Sequence, residues 1–390
     1  MKKIRVGVIG IGDISDVYLN NLKKYDAVEV TACASRGLEK AQRKAAQHGI
    51  PKAYASGDEL IADPEIDLVL NLTTPQAHFT YNLAALQAGK HVYTEKPLAM
   101  TYDEGRQLIA LAREKGLLIG CAPDTFLGGR LQNIRELIDS GRLGRITGGG
   151  AYFVGHGHEF HHPSPAFFYQ PGAGPLYDMG PYYMTALLSL LGPVKRVCAM
   201  ACKAGETRTV PSGPCEGQVL PVDVDTHICA TLEFACGSIV TLTCSFDVWD
   251  SELPRLELYG TEGTVLIDEK DPISGPNLFG GDTLLRTREQ YRWKEPERLP
   301  EHVNTPWEAV PNCHPFNSIS HEENPRGIGL VDLVYALQDG RTPRASGDMA
   351  LHSLEVMECI MRSAHEHIFC MPETSFERPA PLPTDFPASH

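Results

Sequence analysis

Residues 4–22 read IRVGVIGIGDISDVYLNNL, and this stretch predicts the fold of the first third of the chain. An apolar run of strand length, residues 4–9, leads into a turn that contains Gly10 and Gly12, and a helical pattern follows. In such a turn the first glycine bends the chain, and the second lets the backbone approach a pyrophosphate at the helix N-terminus. Ser15 stands where this motif usually has a third glycine. The stretch predicts a dinucleotide site rather than an ordinary strand-helix turn, with contacts from Gly10, Gly12, Asp13 and Ile14.

Composition narrows the classes of protein to which the chain can belong. Its 390 residues, 42% hydrophobic and 22% charged, are typical of a soluble globular protein of two or three domains. The net charge of -14 is spread along the chain, which argues against nucleic acid and anionic membranes as partners. No apolar run is long enough to span a bilayer, so we expect no membrane association and a small-molecule partner.

Cysteine usage and the first residues predict a compartment. The eleven cysteines are scattered and include no C-x-x-C pair, and the chain shows no signal-type apolar segment before its first strand. We therefore expect a cytoplasmic protein with reduced thiols.

The first third of the chain alternates strands and helices. After the first helix, residues 28–34 predict a strand and residues 38–48 a helix that Gly49 ends, and the alternation continues to residue 121. Such repeated units build a doubly wound parallel sheet, a Rossmann fold, over residues 1–121. Ligands of these sheets lie beyond the carboxyl ends of the strands. The predicted cofactor contacts at these ends are Thr73, Thr74, Pro75, His78, Glu95 and Lys96.

The end of the second strand should distinguish the two nicotinamide cofactors. An acidic side chain there holds the ribose hydroxyls of NAD, whereas the 2'-phosphate of NADP requires a cation. The sequence has Ser35 and Arg36 at this place. A hydroxyl beside a guanidinium favours NADP, although Arg36 could simply be a solvated residue at a helix start.

Beyond residue 121 the pattern changes to that of an antiparallel sheet. Alternating or apolar segments such as residues 226–234 and 238–246 are separated by glycine turns, and two helices follow near residues 328–338 and 349–367. We predict an α+β domain with a large, mostly antiparallel open sheet over residues 122–375, long loops within 270–325, and a proline-rich tail over 376–390.

One segment of this second domain contains residues that could take part in a reaction. Residues 171–183 read PGAGPLYDMGPYY, and Asp178 and Tyr182 would share a face if the segment were helical from Asp178 onward. The pair could act in acid/base chemistry. On this segment alone, a capping aspartate and a buried tyrosine would explain the same residues.

Four motifs in this order resemble the Gfo/Idh/MocA family, which includes glucose-fructose oxidoreductase and inositol dehydrogenase. They are the glycine turn at residues 10–12, the TEKP segment at 94–97, residues 172–182, and the GTEG turn at 260–263. The resemblance covers about residues 1–370. It implies an NAD(P)-dependent dehydrogenase that transfers a hydride between the cofactor and a secondary alcohol of a sugar, polyol or glycoside.

The resemblance also implies roles for three residues, Lys96, Asp178 and Tyr182, as the catalytic set. Lys96 would contact both the nicotinamide and the reacting hydroxyl. Many members have histidine four residues after the aspartate, and Tyr182 stands there, as in the branch of glucose-fructose oxidoreductase and dihydrodiol dehydrogenase. A free tyrosine, with a pKa of about 10, is a poor base at neutral pH, and a nearby cation corrects this. The predicted substrate contacts are Lys96, Asp124, Phe126, His158, Asp178 and Tyr182.

Two other functions fit the same resemblance. An NAD-dependent glycosidase would oxidise its sugar transiently and release no net NADH, and a non-catalytic dinucleotide or sugar sensor would not turn over at all. Retention of the three catalytic residues argues against the sensor. By resemblance alone, we expect a homodimer or homotetramer.

A histidine-rich stretch, residues 155–162, reads GHGHEFHH and resembles a set of metal ligands. Alternate residues of an extended segment face opposite ways, and the family implies no metal. We therefore predict no metal site and a substrate-binding loop in which His158 is the pocket contact.

Overall fold

The computed structural model describes residues 3–160, 162–268, 278–290, 306–318 and 324–390. The chain divides into two compact units. The first unit comprises Met1–Leu127, Ser320–Glu355 and Thr374–His390, and the second comprises Gly128–Ile319 and Val356–Glu373.

The first unit is built on a six-stranded parallel sheet, which confirms the predicted Rossmann fold. Its elements are β1 (Ile4–Ile9), α1 (Ile14–Leu22), β2 (Val28–Ala34), α2 (Leu38–His48), β3 (Lys52–Tyr54), α3 (Gly57–Ala62), β4 (Leu68–Asn71), α4 (Pro75–Gln87), β5 (His91–Thr94), α5 (Tyr102–Lys115) and β6 (Ile119–Cys121). The spatial order is β3-β2-β1-β4-β5-β6. The strand order reverses beside β1, and the carboxyl ends of β1 and β4 therefore form the edge where such sheets bind ligands.

Burial explains why these strands read as continuous apolar runs. Leu68, Val69 and Leu70 are consecutive in β4, and each is 0% exposed. Neighbouring residues of a strand point to opposite faces, so both faces of the sheet are covered. An alternation of apolar and polar residues is therefore not expected in the strands of this sheet.

The second unit is built on an eight-stranded sheet of spatial order β16-β15-β14-β13-β7-β12-β11-β8. Its elements are α6 (Gly129–Asp139), β7 (Ile146–Val154), α7 (Gly174–Asp178), α8 (Gly180–Leu191), β8 (Val194–Cys202), β9 (Thr207–Thr209), β10 (Val219–Pro221), β11 (His227–Phe234), β12 (Ile239–Ser245), β13 (Leu256–Gly260), β14 (Gly263–Ile267), β15 (Thr283–Thr287) and β16 (Glu308–Val310). Among the strands that the structure describes in the large sheet, only β7 and β12 pair in parallel. The prediction of a large, mostly antiparallel sheet is confirmed.

Strand β11 shows why this sheet reads as alternating. Ile228, Ala230, Leu232 and Phe234 are buried, while the residues between them are exposed or half-buried. One face of the sheet therefore packs into the core of the unit, as period-two patterning predicts.

The chain returns to the first unit after the second, and the unit boundaries therefore differ from the predicted domains. Helix α9 (Ile328–Asp339) and the first part of α10 (Gly347–Glu366) belong to the first unit. The Asn21 side chain donates to the carbonyls of Asn324 and Arg326 at 2.7 and 2.9 Å, which ties the returning chain to α1. Local sequence patterns carry no signal for such a return.

The predicted proline-rich tail is part of the first unit rather than a separate segment. Phe386 is 3% exposed and meets Tyr335 of α9 edge-on, with ring centroids 5.7 Å apart. Arg344 donates to the carbonyls of Ala380 and Pro381. These contacts bury apolar and polar groups of the last residues against α9 and the turn that follows it.

The region predicted as long loops, residues 270–325, contributes β16, an edge strand of the sheet, and its neighbour β15, so it is not loop throughout. Residues 269–277, 291–305 and 319–323 lie outside the described residues. Among the described helices, none combines the length and the apolar character that a membrane crossing requires.

Candidate active site

The two glycines in the turn between β1 and α1 differ in their surroundings. Gly10 has a φ of +89°, and a Cβ there would lie 2.5 Å from the carbonyl group of Leu72. A Cβ on Gly12 would meet no atom within 4 Å. Gly10 is therefore required by the fold, whereas Gly12 leaves open space at the N-terminus of α1, the place at which the sequence predicts a dinucleotide diphosphate.

Ser15 explains how the turn tolerates the missing third glycine. The residue is fully buried, and its hydroxyl donates to the Gly12 carbonyl at 2.6 Å. A small hydroxyl that bonds to its own turn keeps helix and strand close. Asp13 occupies the N-cap position of α1 but makes no capping hydrogen bond through its side chain.

The end of β4 carries a hydrogen-bonded network. The Asn71 side-chain oxygen accepts from the Thr73 hydroxyl at 2.7 Å, and its amide nitrogen donates to Asn82 at 2.8 Å. Thr74 occupies the N-cap position of α4, and Pro75 lies in the first turn. The network fixes the loop on which these predicted cofactor contacts lie.

His78 connects two loops at the strand ends. The side chain is 0% exposed, and its Nε2 and Nδ1 lie 3.0 and 2.7 Å from the carbonyl oxygens of Thr73 and Pro97. Burial lowers the pKa of His78, and a neutral imidazole donates to one of these two oxygens at a time. The geometry favours a role in positioning these loops over the predicted direct contact with the cofactor.

Glu95 holds the backbone that carries Lys96. Its Oε1 accepts from the Tyr18 hydroxyl at 2.8 Å and lies 3.7 Å from Nε of Arg326, while its Oε2 accepts from the Lys96 backbone N–H at 2.9 Å. Glu95 was predicted as a cofactor contact, and the structure gives its carboxylate protein partners on both oxygens. Lys96 is half-buried and is the second residue after β5.

Asp124 and Phe126 were predicted as substrate contacts and lie in the interior of the first unit. Asp124 is 0% exposed, and its Oδ2 accepts from the backbone N–H groups of Gly327 and Gly329 at 2.8 and 2.9 Å. Burial raises the pKa of Asp124 to about 6, although the two N–H groups and Arg326 oppose the shift. Phe126 is 1% exposed. This arrangement favours a structural role for both residues, because it anchors the start of α9.

The predicted cofactor-discriminating residues follow β2 directly. Ser35 is half-buried and Arg36 is exposed. An exposed guanidinium at the carboxyl end of β2 is available to a 2'-phosphate, and equally to water. The preference for NADP stays a prediction.

In the second unit, the structure pairs Asp178 with His158. The His158 Nε2 lies 2.8 Å from Asp178 Oδ2, and the two side chains are 18% and 16% exposed. Aromatic rings enclose the imidazole, because the ring centroids of Phe168 and Phe246 lie 4.1 and 5.1 Å from that of His158. A carboxylate that fixes one ring nitrogen sets the tautomer and the orientation of an imidazole.

The condition for Asp178 and Tyr182 to share the face of one helix, a segment helical from Asp178 onward, is not met, because α7 ends at Asp178 and α8 begins at Gly180. Asp178 is the last residue of α7, and Tyr182, 6% exposed, lies in the first turn of α8. Pro181 explains the break, since it has no N–H to donate to the carbonyl four residues earlier and is tolerated only in a first turn. Asp178 is not an N-cap either, since that position belongs to Met179.

His156 and His158 have different surroundings, although strict alternation would place residues two apart on the same face. Gly157, with a φ of +82°, interrupts the extended backbone between them. His158 faces Asp178, whereas His156 stacks on Trp249, with ring centroids 3.3 Å apart and planes 14° apart. His161 lies outside the described residues. Within the described part of the chain, no three His, Cys, Asp or Glu side chains are grouped so that they could hold a metal ion.

Sequence reasoning did not find three residues that surround the His158 loop. They are Glu159, Tyr169 and Arg208, which form a buried hydrogen-bonded group. Glu159 was visible in the GHGHEFHH stretch, but Arg208 lies 49 positions away and no local pattern connects the two.

A cavity of about 430 Å³ lies elsewhere in the second unit. Tyr177, Lys203 and Asp225 are among its lining residues, but Asp178, Tyr182 and His158 are not. Tyr177 precedes Asp178, so the cavity adjoins α7 without containing the predicted catalytic groups.

Two family models match the N-terminal and the C-terminal parts of the chain. A family model described as "Oxidoreductase family, NAD-binding Rossmann fold" matches residues 4–122, and the model of the GFO/IDH/MocA C-terminal domain matches residues 131–266. Together they span more than half of the chain.

Three known proteins illustrate the similarity. A 1,5-anhydro-D-fructose reductase from Ensifer adhaerens is 36% identical over 36% of this chain and 42% of its own length. A trans-1,2-dihydrobenzene-1,2-diol dehydrogenase from Danio rerio is 32% identical over 68% of this chain and 74% of its own. The structure of a levoglucosan dehydrogenase in complex with NADH and L-sorbose superposes with a TM-score of 0.79, at 19% identity, over 96% of this chain and 100% of the other.

Proposed function

Because the chain belongs to the Gfo/Idh/MocA oxidoreductase family, we propose that it is an NAD(P)-dependent dehydrogenase of a secondary alcohol in a sugar, polyol or glycoside. The observation that carries the proposal is the 2.8 Å hydrogen bond between His158 and Asp178. An oriented imidazole beside a carboxylate is suited to a substrate hydroxyl whose proton must move. The sugar-related relatives support the substrate class.

The first unit would hold the cofactor, which accepts a hydride from the carbinol carbon when it is bound as NAD(P)⁺. The backbone at Gly12 and the N-terminus of α1 would bind the diphosphate, because the open space at Gly12 admits it. Arg36 would contact a 2'-phosphate, which is why we propose a preference for NADP. Thr73, Thr74 and Pro75 would line the same edge from the end of β4.

Loss of a hydride from an alcohol requires that its proton leave as well. We assign Lys96 to polarise the alcohol oxygen, Tyr182 to take the proton and Asp178 to hold a substrate hydroxyl. His158 would contact the substrate beside Asp178. His158 is also the second candidate for the proton, because its ring is oriented by Asp178.

A screen of sugars, polyols and glycosides for NAD(P)H absorbance tests the proposal. We expect at least one secondary alcohol to reduce the cofactor catalytically, and Lys96→Met to abolish the signal. Release of an aglycone without net NAD(P)H would instead identify a glycosidase, and tight dinucleotide binding without either reaction would identify a sensor. Sedimentation velocity on the same preparation tests the proposed homodimer or homotetramer.

A further inference from the structure

Arg208 lies in the short strand β9 and is 11% exposed at its side chain. Its Nη1 donates to Oε1 of Glu159 at 2.6 Å and to the His156 carbonyl at 3.3 Å. Its Nη2 donates to the Phe246 carbonyl at 2.6 Å and to the Asp247 carboxylate. One guanidinium therefore joins the loop that follows β7 to the end of β12.

Glu159 is the acidic centre of this group and is 3% exposed. Its second oxygen, Oε2, accepts from the hydroxyl of Tyr169, which is 0% exposed. Burial and the neighbouring Glu159 raise the pKa of Tyr169, so its hydroxyl keeps its proton and donates. The Arg208 guanidinium also lies 5.4 Å from the centroid of the Tyr169 ring.

The group encloses the backbone on both sides of His158. His156 and Glu159, which flank His158 on either side, both bond to Arg208. Gly157 packs between them with a φ of +82°, and a Cβ there would lie 2.3 Å from both Glu159 Oε2 and the Tyr169 hydroxyl. The loop therefore has no room to shift without breaking these contacts.

A buried ion pair of this kind contributes little net free energy to the stability of a loop. Removing two charges from water is unfavourable, and apolar side chains of similar size often serve stability as well or better. What the charged pair supplies and apolar packing does not is directional bonding at fixed points. Those fixed points adjoin the residue that meets Asp178.

We propose that Arg208 is a positioning residue that, with Glu159 and Tyr169, fixes the loop on both sides of His158 and so holds its imidazole against Asp178. The consequence for turnover rests on the proposed function. The effect on the His158 ring does not, since it concerns only the hydrogen bond between His158 and Asp178.

Arg208→Lys tests the proposal, because lysine keeps the charge but cannot make the forked contacts. The first readout is the ¹⁵N chemical shifts of the His158 ring nitrogens in histidine-labelled protein, assigned by comparison with His158→Gln. We expect a single tautomer protonated at Nε2 in the parent and averaged tautomers in the variant. Arg196→Lys is the matched control, because Arg196 pairs with Glu233 at an exposed site, and we expect it to leave the His158 signals unchanged.

The second readout is steady-state turnover. We expect Arg208→Lys to lower kcat by about 10- to 100-fold with little change in the KM of the dinucleotide, as for a lost supporting contact behind an active group. A changed His158 spectrum with unchanged kcat would support the positioning role and contradict the part that the proposed function gives to His158. The two failures are therefore distinguishable.

Tyr169→Phe keeps the test decisive if Arg208→Lys does not fold, since it removes one hydroxyl and keeps the ring. We expect a smaller change of the His158 signals in the same direction. Tyr259→Phe is its control, because the Tyr259 hydroxyl also donates to a glutamate, Glu257, but at an exposed place on β13. Unchanged His158 signals in a folded Arg208→Lys or Tyr169→Phe protein would overturn the proposal.

Discussion

At the scale of single residues, Tyr182 and His158 are alternative acceptors of the substrate proton, and matched variants distinguish between the two. If Tyr182 takes the proton, Tyr182→Phe should lower kcat by about 10²- to 10⁴-fold, the usual size of a general acid/base contribution, and leave dinucleotide affinity intact. His158→Gln should then act mainly on the KM of the alcohol. Single-turnover hydride transfer and dinucleotide titration on both variants measure these effects.

The opposite pattern would move the role to His158. A Tyr182→Phe protein with near-parental turnover, beside a His158→Gln protein that has lost it, would contradict the assignment of the proton to Tyr182. Because Tyr182 is 6% exposed, the melting temperature of the Tyr182→Phe protein must be measured as well. A loss of thermal stability with unchanged turnover would show that Tyr182 serves only the core.

Arg36 carries the prediction of cofactor preference. A charge-assisted hydrogen bond to a 2'-phosphate contributes about 1.5–3 kcal/mol, or roughly a tenfold to hundredfold difference in affinity. Arg36→Asp should therefore reverse a preference for NADP, with no effect on melting temperature because the side chain is exposed. A parent protein that binds NAD more tightly, and a variant that behaves like it, would remove Arg36 from cofactor selection.

At the scale of elements, the β1–α1 turn contains two glycines with different reasons to be glycine. Gly12→Ala should leave the melting temperature unchanged and weaken dinucleotide binding by about tenfold or more, or about 1.4 kcal/mol, because the new methyl group enters open space meant for the diphosphate. Gly10→Ala should instead lower the free energy of unfolding by more than about 1 kcal/mol, because its φ is positive and Leu72 is in contact. Equal losses of affinity without loss of stability in both variants would contradict this division.

The elements also show which local signals were sufficient. Strand β2 and helix α2 end where the sequence predicts, since Gly49 adopts the left-handed conformation that closes α2. The break between α7 and α8 was not predicted, although a proline such as Pro181 is typical of the first turn of a new helix. The four-residue spacing of Asp178 and Tyr182 does not reveal the break, because a helix that continued through both would need a backbone N–H that Pro181 lacks.

At the scale of the whole chain, Asp124 links stability to pH. Its pKa is raised from 3.8 to about 6, so the folded protein binds a proton that the unfolded chain releases at lower pH. This carboxyl therefore makes stability fall as pH rises from about 4 to about 6, and the penalty of about 3 kcal/mol is fully present above that window. Asp124→Asn should remove it.

Urea unfolding at pH 4.5 and at pH 7.5 checks this prediction. The unfolding free energy of Asp124→Asn, relative to that of the parent, should be larger at pH 7.5 than at pH 4.5. Asparagine retains an oxygen that can accept from Gly327 and Gly329, so the anchor to α9 is preserved. A difference that is the same at both pH values would show that Asp124 does not titrate in this range.

What the sequence could not predict are the contacts between distant segments. The His158–Asp178 bond spans 20 positions, and the Asp124 bonds to Gly327 and Gly329 span 203 and 205. Periodicity and turn chemistry describe neighbours along the chain, and such contacts depend on tertiary packing instead. The sequence singled out His158, Asp178 and Asp124 but not the partners of their side chains.

The late return of the chain to the first unit has a consequence for biosynthesis. Leu330, Leu333 and Val334 of α9 are each 0% exposed, and a Cβ on Gly120 of β6 would lie 2.9 Å from Leu333. A ribosome therefore releases β6 more than 200 codons before the side chains that cover it, since β6 ends at Cys121 and α9 begins at Ile328. A chain that stopped at residue 127 would leave this apolar surface of β6 uncovered, so the first unit can complete its core only after α9 has been translated.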